Sequence, residues 1–485
     1  MMRMAERDGL AWESSNQEAG RKAALSGALG SMLEFYDFFI YTQAAALVFP
    51  TVFFPADNRT LAIAASLGTY GVGYVARPVG AFVLGAIGDR AGRRFTLILT
   101  MSLMSVSTFI LGLLPGYAQI GAAAPILLVA CRLVQGFAVA GEISGSSTLI
   151  IEQTPVGIRG RRASVILQGT QFGQIIAALI FIPLSAVLST RDFQAWGWRL
   201  PFLLSAVLAA AGFTARLATI ESKPKDSKDI ATIREVFRTT PGTVARVFLM
   251  ALMNIIPVTT TVFGATLATQ ESYGVGWSAR DYLWIPVLGN VAAVAVIPFA
   301  ANLSDRFGRR PLMIWGSLTS GLLSFAYLWA VTTGSTWLAL AVSLIMWGSL
   351  FQGYNAVFPS YFPELFPAST RVTGTAIGQN IGTAASSLMA MVFVALCPPG
   401  TSSTAIVLVV GSLTLAITAV SAAAAWLSPE TFRMRPSDFG DPHASAIPEE
   451  EYRTIRDENL RSASKARRMR KNAPPNHTRM QRKPQ

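Results

Sequence analysis

The stretch Gly85–Arg94 reads GAIGDRAGRR, and Ala301–Arg310 reads ANLSDRFGRR. A second pair follows the same spacing: EQTPVGIRG at Glu152–Gly160 and ELFPASTRVTG at Glu364–Gly374. Both pairs are offset by a little over two hundred residues, so the repeats keep register along the chain. Two matches in register point to a duplicated unit.

The residues flanking these loops are apolar in runs of about 18 to 25, each long enough to cross a bilayer as a helix. Windows of about nineteen residues give spans near 23–48, 61–87, 95–115, 123–150, 164–188 and 200–219, then 247–269, 282–303, 311–331, 336–361, 373–396 and 404–427. The expected fold is therefore an all-α membrane protein of 12 transmembrane helices in two six-helix bundles, 23–220 and 247–428. Residues 1–22 form an N-terminal tail, 221–246 a basic central loop, and 429–485 a basic, largely disordered tail. Over its 485 residues the chain is 52% hydrophobic and only 14% charged, against roughly 25% charge in a soluble domain. That deficit excludes a soluble core.

The net charge of +13 could suggest nucleic acid, but no nucleic-acid-binding signature accompanies it, and no such partner is expected. Much of the excess lies in alternate loops and in the tail. One set of loops carries Arg90, Arg93, Arg94, Arg159, Arg161, Arg162, Arg306, Arg309, Arg310 and Arg371, and the opposite set carries few. The rich set is expected to face the cytoplasm, with both termini inside, in the cell membrane. The first run contains Glu34 and Asp37, unlike a signal-peptide core, and is expected to remain as a span. Trp196, Trp198 and Trp284, near span ends, read as interfacial anchors.

Charge inside a span costs several kcal/mol unless it meets a partner or a cavity. Span one carries SMLEFYDFFIY, with Glu34, Asp37 and Tyr41 three and four apart on one helical face. Glu34 lies on the order of 16 Å along the helix from its cytoplasmic end. Two carboxylates in a low dielectric cannot easily both stay ionised, so one is expected to take up a proton, which is what a proton carrier requires. Span four carries RLVQGFAVAGE, with Arg132, Gln135, Gly136 and Glu142. Arg132 is about 12 Å inside the outer edge, and is the expected counter-ion of the acids; a permanent structural ion pair is the other reading. Arg77, before Pro78 in span two, is a further charge inside an apolar run.

Other polar residues inside spans, including Gln168, Gln174, Asn254, Asn290, Gln352 and Gln379, read as helix-to-helix hydrogen bonds. Gln171 and Asn355 are preferred as cavity residues, and Tyr41, Gln135, Glu142 and Asn380 are further candidates. His443 and His477 are the chain's 2 histidines, and both lie in the tail, so a histidine relay is excluded. Cys131 and Cys397 read as packed apolar side chains. Neither a nucleotide-binding loop, nor a nucleophile elbow, nor a paired metal ligand set occurs, so no cofactor or metal is expected, and no enzyme.

Together these motifs resemble the major facilitator superfamily. The loop after span two fits its pattern of Gly, three residues, Asp-Arg, any residue, Gly and two basic residues. The resemblance implies a cytoplasmic gate formed by Gly85, Asp89, Arg90, Gly92, Arg93 and Arg94 with Glu152 and Arg159. The second copy supplies Asp305, Arg306, Gly308, Arg309, Arg310, Glu364 and Arg371, and the resemblance also implies that Arg77 lies on the translocation path or in a charge network with Glu142. EFYDF, ARPVG at Ala76–Gly80, and RLVQGF with AGE resemble more narrowly the metabolite:proton symporter family, whose members carry shikimate, 2-oxoglutarate, citrate, proline or betaine. Family sequences commonly have Trp where this chain has Phe35. ALVFPTVFFP at Ala46–Pro55 leans toward the shikimate-like branch. The implied function is proton symport of a small organic acid or zwitterion by alternating access, in a monomer whose partners are substrate, proton and lipid. The alternative is a sugar-type or drug-type carrier on the same fold. SPET at Ser428–Thr431 echoes the sugar porters, but the paired span-seven Gln of those proteins and the GPxxGG-like span-five motif of drug antiporters are missing.

Overall fold

The computed structural model describes residues 28–55, 57–80, 83–84, 87, 93–139, 142–217, 233–441 and 443–471. Every regular element among them is helical. In chain order they are α1 (28–47), α2 (Arg59–Val75, resuming at 77–80 after a turn at Ala76), α3 (Arg93–Leu113), α4 (Ala123–Glu152), α5 (Arg159–Val187) and α6 (Arg199–Leu217). The second set is α7 (Pro241–Thr269), α8 (Ala279–Phe307), α9 (Arg309–Thr332), α10 (Thr336–Glu364), α11 (Arg371–Leu396) and α12 (Ser403–Trp426). Among the described residues, 8 helices are long and apolar enough to cross a membrane: α4, α5 and α7 to α12.

Local chemistry sets several boundaries. Asn58, Ser278 and Ser402 accept hydrogen bonds from Leu61, Asp281 and Ala405, capping the starts of α2, α8 and α12. Gly308, at φ +110°, ends α8 and starts α9, a backbone conformation that glycine tolerates. α7 starts at Pro241, earlier than the expected 247, because proline suits a first helical turn. Trp198 is not an interfacial anchor: it is fully buried against Phe49, Phe53 and Phe202. Trp196 and Trp284 remain exposed.

The halves meet where α2 packs on α11 and α5 on α8. They are bridged at both ends. At one end Arg59 donates to Gln270 (2.6 Å), and Gln270 donates to the Ala46 carbonyl (2.6 Å). The other, arginine-rich end holds a buried cluster. Asp305 accepts from the backbone N–H of Gly160 and of Arg161, both at 2.9 Å, and from Arg309 at 2.7 Å. Glu364 takes Arg309 through two nitrogens (3.1 and 3.2 Å), lies 3.2 Å from Arg159 Nε, and accepts from Thr431 (2.5 Å). Arg371 pairs with Glu152 across the halves at 3.2 Å. A Cβ on Gly160 would lie 2.5 Å from Arg309 Nη1 and 3.0 Å from the Ala301 carbonyl, so the close approach requires glycine there.

Of the expected gate residues, Arg306 and Arg310 stand apart from the ties between halves. Arg306 lies against the Phe307 ring. Arg310 donates to the Ala425 and Trp426 carbonyls, closing the end of α12 within its own half. Each points away because the α8–α9 corner at Gly308 directs only Asp305 and Arg309 inward. Gly85, Asp89, Arg90 and Gly92 lie outside the described residues, as do the side chains of Arg93 and Arg94.

The tail departs from the expected disorder. Glu430 caps α9, accepting from the Arg309 and Arg310 backbone N–H groups (2.9 and 3.0 Å). Arg159 donates to the carbonyls of Thr431, Phe432 and Met434, and stacks on Phe439. A further helix, α13 (Glu449–Lys471), places Tyr452 on the Asp305 carbonyl (2.6 Å) and Asn459 on the Val156 carbonyl (2.9 Å). Buried guanidinium and peptide groups supply partners that composition alone does not reveal, so this polar segment is held against both halves.

Removing one partner from such a buried network leaves the others uncompensated and costs about 3–5 kcal/mol. Glu364→Gln is therefore expected to lower the thermal midpoint of the purified protein by several degrees, while Arg306→Ala leaves it unchanged. Thermal unfolding in detergent measures both. Equal midpoints for the two variants would mean that the cluster does not hold the halves.

Candidate functional site

The site begins on α1, where Glu34, Phe38 and Tyr41 follow one another at helical spacing. α2 and α4 approach this face closely. A Cβ on Gly136 would lie 1.8 Å from the Gly73 carbonyl, so only glycine lets the two backbones touch there. The Arg132 side chain then crosses Gly73, with Nε 2.7 Å from where a Cβ would be.

Arg132 is fully buried, yet it pairs directly with neither acid. Its guanidinium lies 4.0 Å from the Phe38 ring centre and 4.1 Å from that of Tyr41, and donates to Gln135 at 3.1 Å. Gln135 donates to Thr108 (2.6 Å), and Thr108 to Asp37 (3.1 Å). Ser205 donates to the other Asp37 oxygen at 2.5 Å. Asp37 and Arg132 are thus joined through two intervening side chains, which replaces the expected direct contact. The reason is steric: the Arg132 plane is held on aromatic faces, and the Thr108–Gln135 pair fills the gap.

Glu34 has a different cation. Arg77 Nη2 lies 3.3 Å from Glu34 Oε1, and its guanidinium sits 4.4 Å from Phe38 and 4.3 Å from Tyr74. Arg77 follows the turn at Ala76, which re-aims the chain before Pro78. Phe38 therefore contacts both cations, each worth about 0.5–2 kcal/mol at such a ring. Glu142, the other expected partner of Arg77, starts a described helical segment, but its side chain lies outside what is described.

A cavity lies between the halves beside this face. Arg77, Gln171, Asn355 and Asn380 line it. Tyr41 and Gln135 do not: both are fully buried behind the wall, Tyr41 donating to Thr69 at 2.6 Å. Gln174, Asn254 and Gln379, read from the sequence as helix glue, also face the cavity. Asn254 does both, since it donates to Ala251 (2.9 Å) and Thr383 (3.1 Å). Their spacing offered a signal: Gln171 with Gln174, and Gln379 with Thr383, repeat at three and four. The aromatic wall of Phe38, Tyr70, Tyr74, Trp347 and Tyr354 was hidden among many other apolar-run aromatics.

Two helices are irregular where they meet the cavity. π-helical turns at Val258–Phe263 in α7 and Met346–Leu350 in α10 bring Thr261 and Trp347 to its wall. Non-helical hydrogen bonding at membrane depth is tolerated where the backbone lines a cavity or is buried in protein. The cavity thus combines one guanidinium, whose carboxylate partner Glu34 lies behind the wall, with a set of neutral amides and an aromatic wall, a surface suited to a small polar molecule with a charged group.

The Major Facilitator Superfamily model matches residues 27–390 and 247–469. The chain is 34% identical over 370 residues to the inner membrane metabolite transport protein YhjE of Escherichia coli, covering 74% of this chain and 84% of that one. It is 32% identical over 371 residues to the shikimate transporter of the same organism, with the same coverage of 74% and 84%. It is 30% identical over 375 residues to the proline/betaine transporter of Salmonella typhimurium, covering 74% of each. Among solved structures, the partially occluded inward-open xylose transporter XylE of E. coli aligns with a TM-score of 0.64 at 17% identity, covering 85% of this chain and 99% of that one. With the helical bundles and central cavity already described, these matches establish that the chain belongs to the Major Facilitator Superfamily and is a multi-pass membrane transporter, not an enzyme.

Proposed function

We propose that the protein imports a small organic acid or zwitterion by proton symport, through alternating access of the two halves. The observation that carries this reading is the Arg77–Glu34 ion pair at 3.3 Å, with Arg77 on the cavity wall. With the cavity empty, Glu34 neutralises Arg77. A proton on Glu34 removes that charge and leaves Arg77 to take a substrate carboxylate. Opening the pair without either ligand would strand a charge in an apolar interior, which costs several kcal/mol. Empty transport of Arg77 alone is thereby disfavoured, and proton and substrate move together. The Asp37–Thr108–Gln135–Arg132 chain is a second titratable station, and Arg132, held on rings, supplies constant positive potential.

The neutral amides from both halves would read hydroxyl, carbonyl or amine groups, and the aromatic wall would pack a ring or a quaternary amine. The names of the relatives, shikimate transporter and proline/betaine transporter, agree with that class. Likeness to XylE speaks only to fold at 17% identity. The arginine-rich end would face the cytoplasm of the cell membrane, by the excess of Arg in its loops, and its charged cluster would be the inner gate.

Uptake into vesicles of radiolabelled shikimate, 2-oxoglutarate, betaine, 4-hydroxybenzoate and xylose tests the proposal. One of the acids or zwitterions is expected to accumulate when an inward proton gradient is imposed. One pH unit is worth about 1.4 kcal/mol per proton, a factor of about ten. Uptake indifferent to the gradient rejects symport, and xylose alone being carried favours the sugar-type reading.

Glu34→Gln and Asp37→Asn are each expected to abolish accumulation against a gradient, and Glu34→Gln to keep exchange of labelled for unlabelled compound. Arg77→Ala should lose binding, and Arg77→Lys should recover only part of it, since a lysine cannot present a planar fork to a carboxylate. Accumulation at the wild-type level by Glu34→Gln and Arg77→Ala together would rule out the pair as the coupling device.

A further inference from the structure

The acids of α1 border a second space, distinct from the central cavity. A narrow crevice runs inside the N-terminal half between α1, α3, α4 and α6, and both Glu34 and Asp37 line it. Its other walls are Thr100, Met101, Met104 and Ser105 of α3, with Ala138 of α4 and Ser205 of α6 among the remainder. None of these residues lines the space between the halves. The two spaces therefore lie on opposite sides of α1, with Phe38 and Arg77 on the central side.

The crevice has a direction. Gly30 and Leu33 on α1, and Thr100 and Met101 on α3, lie nearer the arginine-rich end than the acids do. Gly30 precedes Asp37 by two helical turns, roughly 10 Å. Ser205 stands along it and donates to Asp37 at 2.5 Å, while the Ser105 hydroxyl is turned back onto its own helix, donating to the Met101 carbonyl at 2.8 Å. Its wall is more apolar than polar, but the two carboxyls and the Ser205 hydroxyl give water polar partners there, and water passes protons where no organic solute fits. The charged and titratable side chains packed about the two acids, among the described residues, are Arg77 of α2, Arg132 of α4 and the tyrosines Tyr36 and Tyr74. Among the described side chains, those that α3 and α6 offer the crevice are uncharged.

We infer that proton and substrate travel separate routes: substrate through the cavity between the halves, and the proton between Glu34 or Asp37 and the arginine-rich end through the crevice inside the N-terminal half. The step is proton transfer alone, an O–H bond broken at the carboxylic acid and formed on water. It occurs while the Asp305 and Glu364 cluster still joins the halves, so the proton can leave before the substrate gate opens. The inference rests on the symport reading above.

Ser105→Phe and Met101→Trp fill the crevice without touching the central cavity, and Ser105→Ala removes a hydroxyl without filling it. The variants are reconstituted in liposomes with radiolabelled shikimate, or 2-oxoglutarate where shikimate is not carried. The filled variants are expected to lose gradient-driven accumulation by about tenfold or more, and to keep labelled-for-unlabelled exchange within about twofold. Ser105→Ala should match wild type in both assays. Undiminished accumulation in either folded, filled variant overturns the inference, and so does loss of exchange in step with accumulation, which would place these residues on the substrate route or in packing alone. Wild-type protein that exchanges either compound but ignores the gradient would instead remove the symport reading, and the separate proton route with it.

Discussion

A guanidinium inside an apolar bundle must be neutralised, hydrogen-bonded or stacked, and this fold is organised around the ones that stay. Arg77 and Arg132 share the Phe38 ring in the N-terminal half, whereas Arg159, Arg309 and Arg371 meet carboxylates at the arginine-rich end. The two groups are compensated differently, and the difference matters. At the end of the bundle each cation has a carboxylate, some are bidentate, and peptide carbonyls complete the set. Near the middle the cations lean on rings, and Arg77 alone has a carboxylate beside a cavity. The first arrangement holds a structure together, while the second can exchange partners at modest cost.

The same contrast appears between the two ends of the molecule. One end is tied by charged groups with the strap of residues 429–447 and α13 laid across it. The opposite end is tied by Arg59 and the amide of Gln270. Both ends use a charged donor, but the arginine-rich end joins three guanidinium groups to carboxylates, so it is the firmer tie. Bridges at both ends bracket the cavity. The π-helical turns of α7 and α10 place backbone already released from regular hydrogen bonding at the cavity wall, where a helix can bend without first breaking a ladder.

Much of the architecture was legible in the sequence. Apolar runs of spanning length follow from bilayer thickness, and a repeated Asp-Arg loop survives duplication because its turn and its charges are local. Glu34, Asp37, Arg77 and Arg132 stood out because charge inside an apolar run is conspicuous by its cost. Pairing was not legible. Arg132 read as the counter-ion of the acids, but Glu34 meets Arg77 and Asp37 reaches Arg132 only through Thr108 and Gln135. Trp198 read as an anchor at a membrane surface and is a core residue. The tail looked disordered by composition, yet Arg159 and Asp305 bind its carbonyls and its tyrosine.

The sequence by itself determined the class of molecule, the number and order of its spans, and which side chains are too costly in oil to be incidental, because periodicity, length and charge are local quantities. Only the tertiary structure decided which acid meets which guanidinium, which amides face the cavity, and that the acids of α1 border a second space behind it. Those outcomes depend on how helices rotate and how closely they approach. Both are set by contacts such as Gly136 against Gly73, made between residues far apart along the chain.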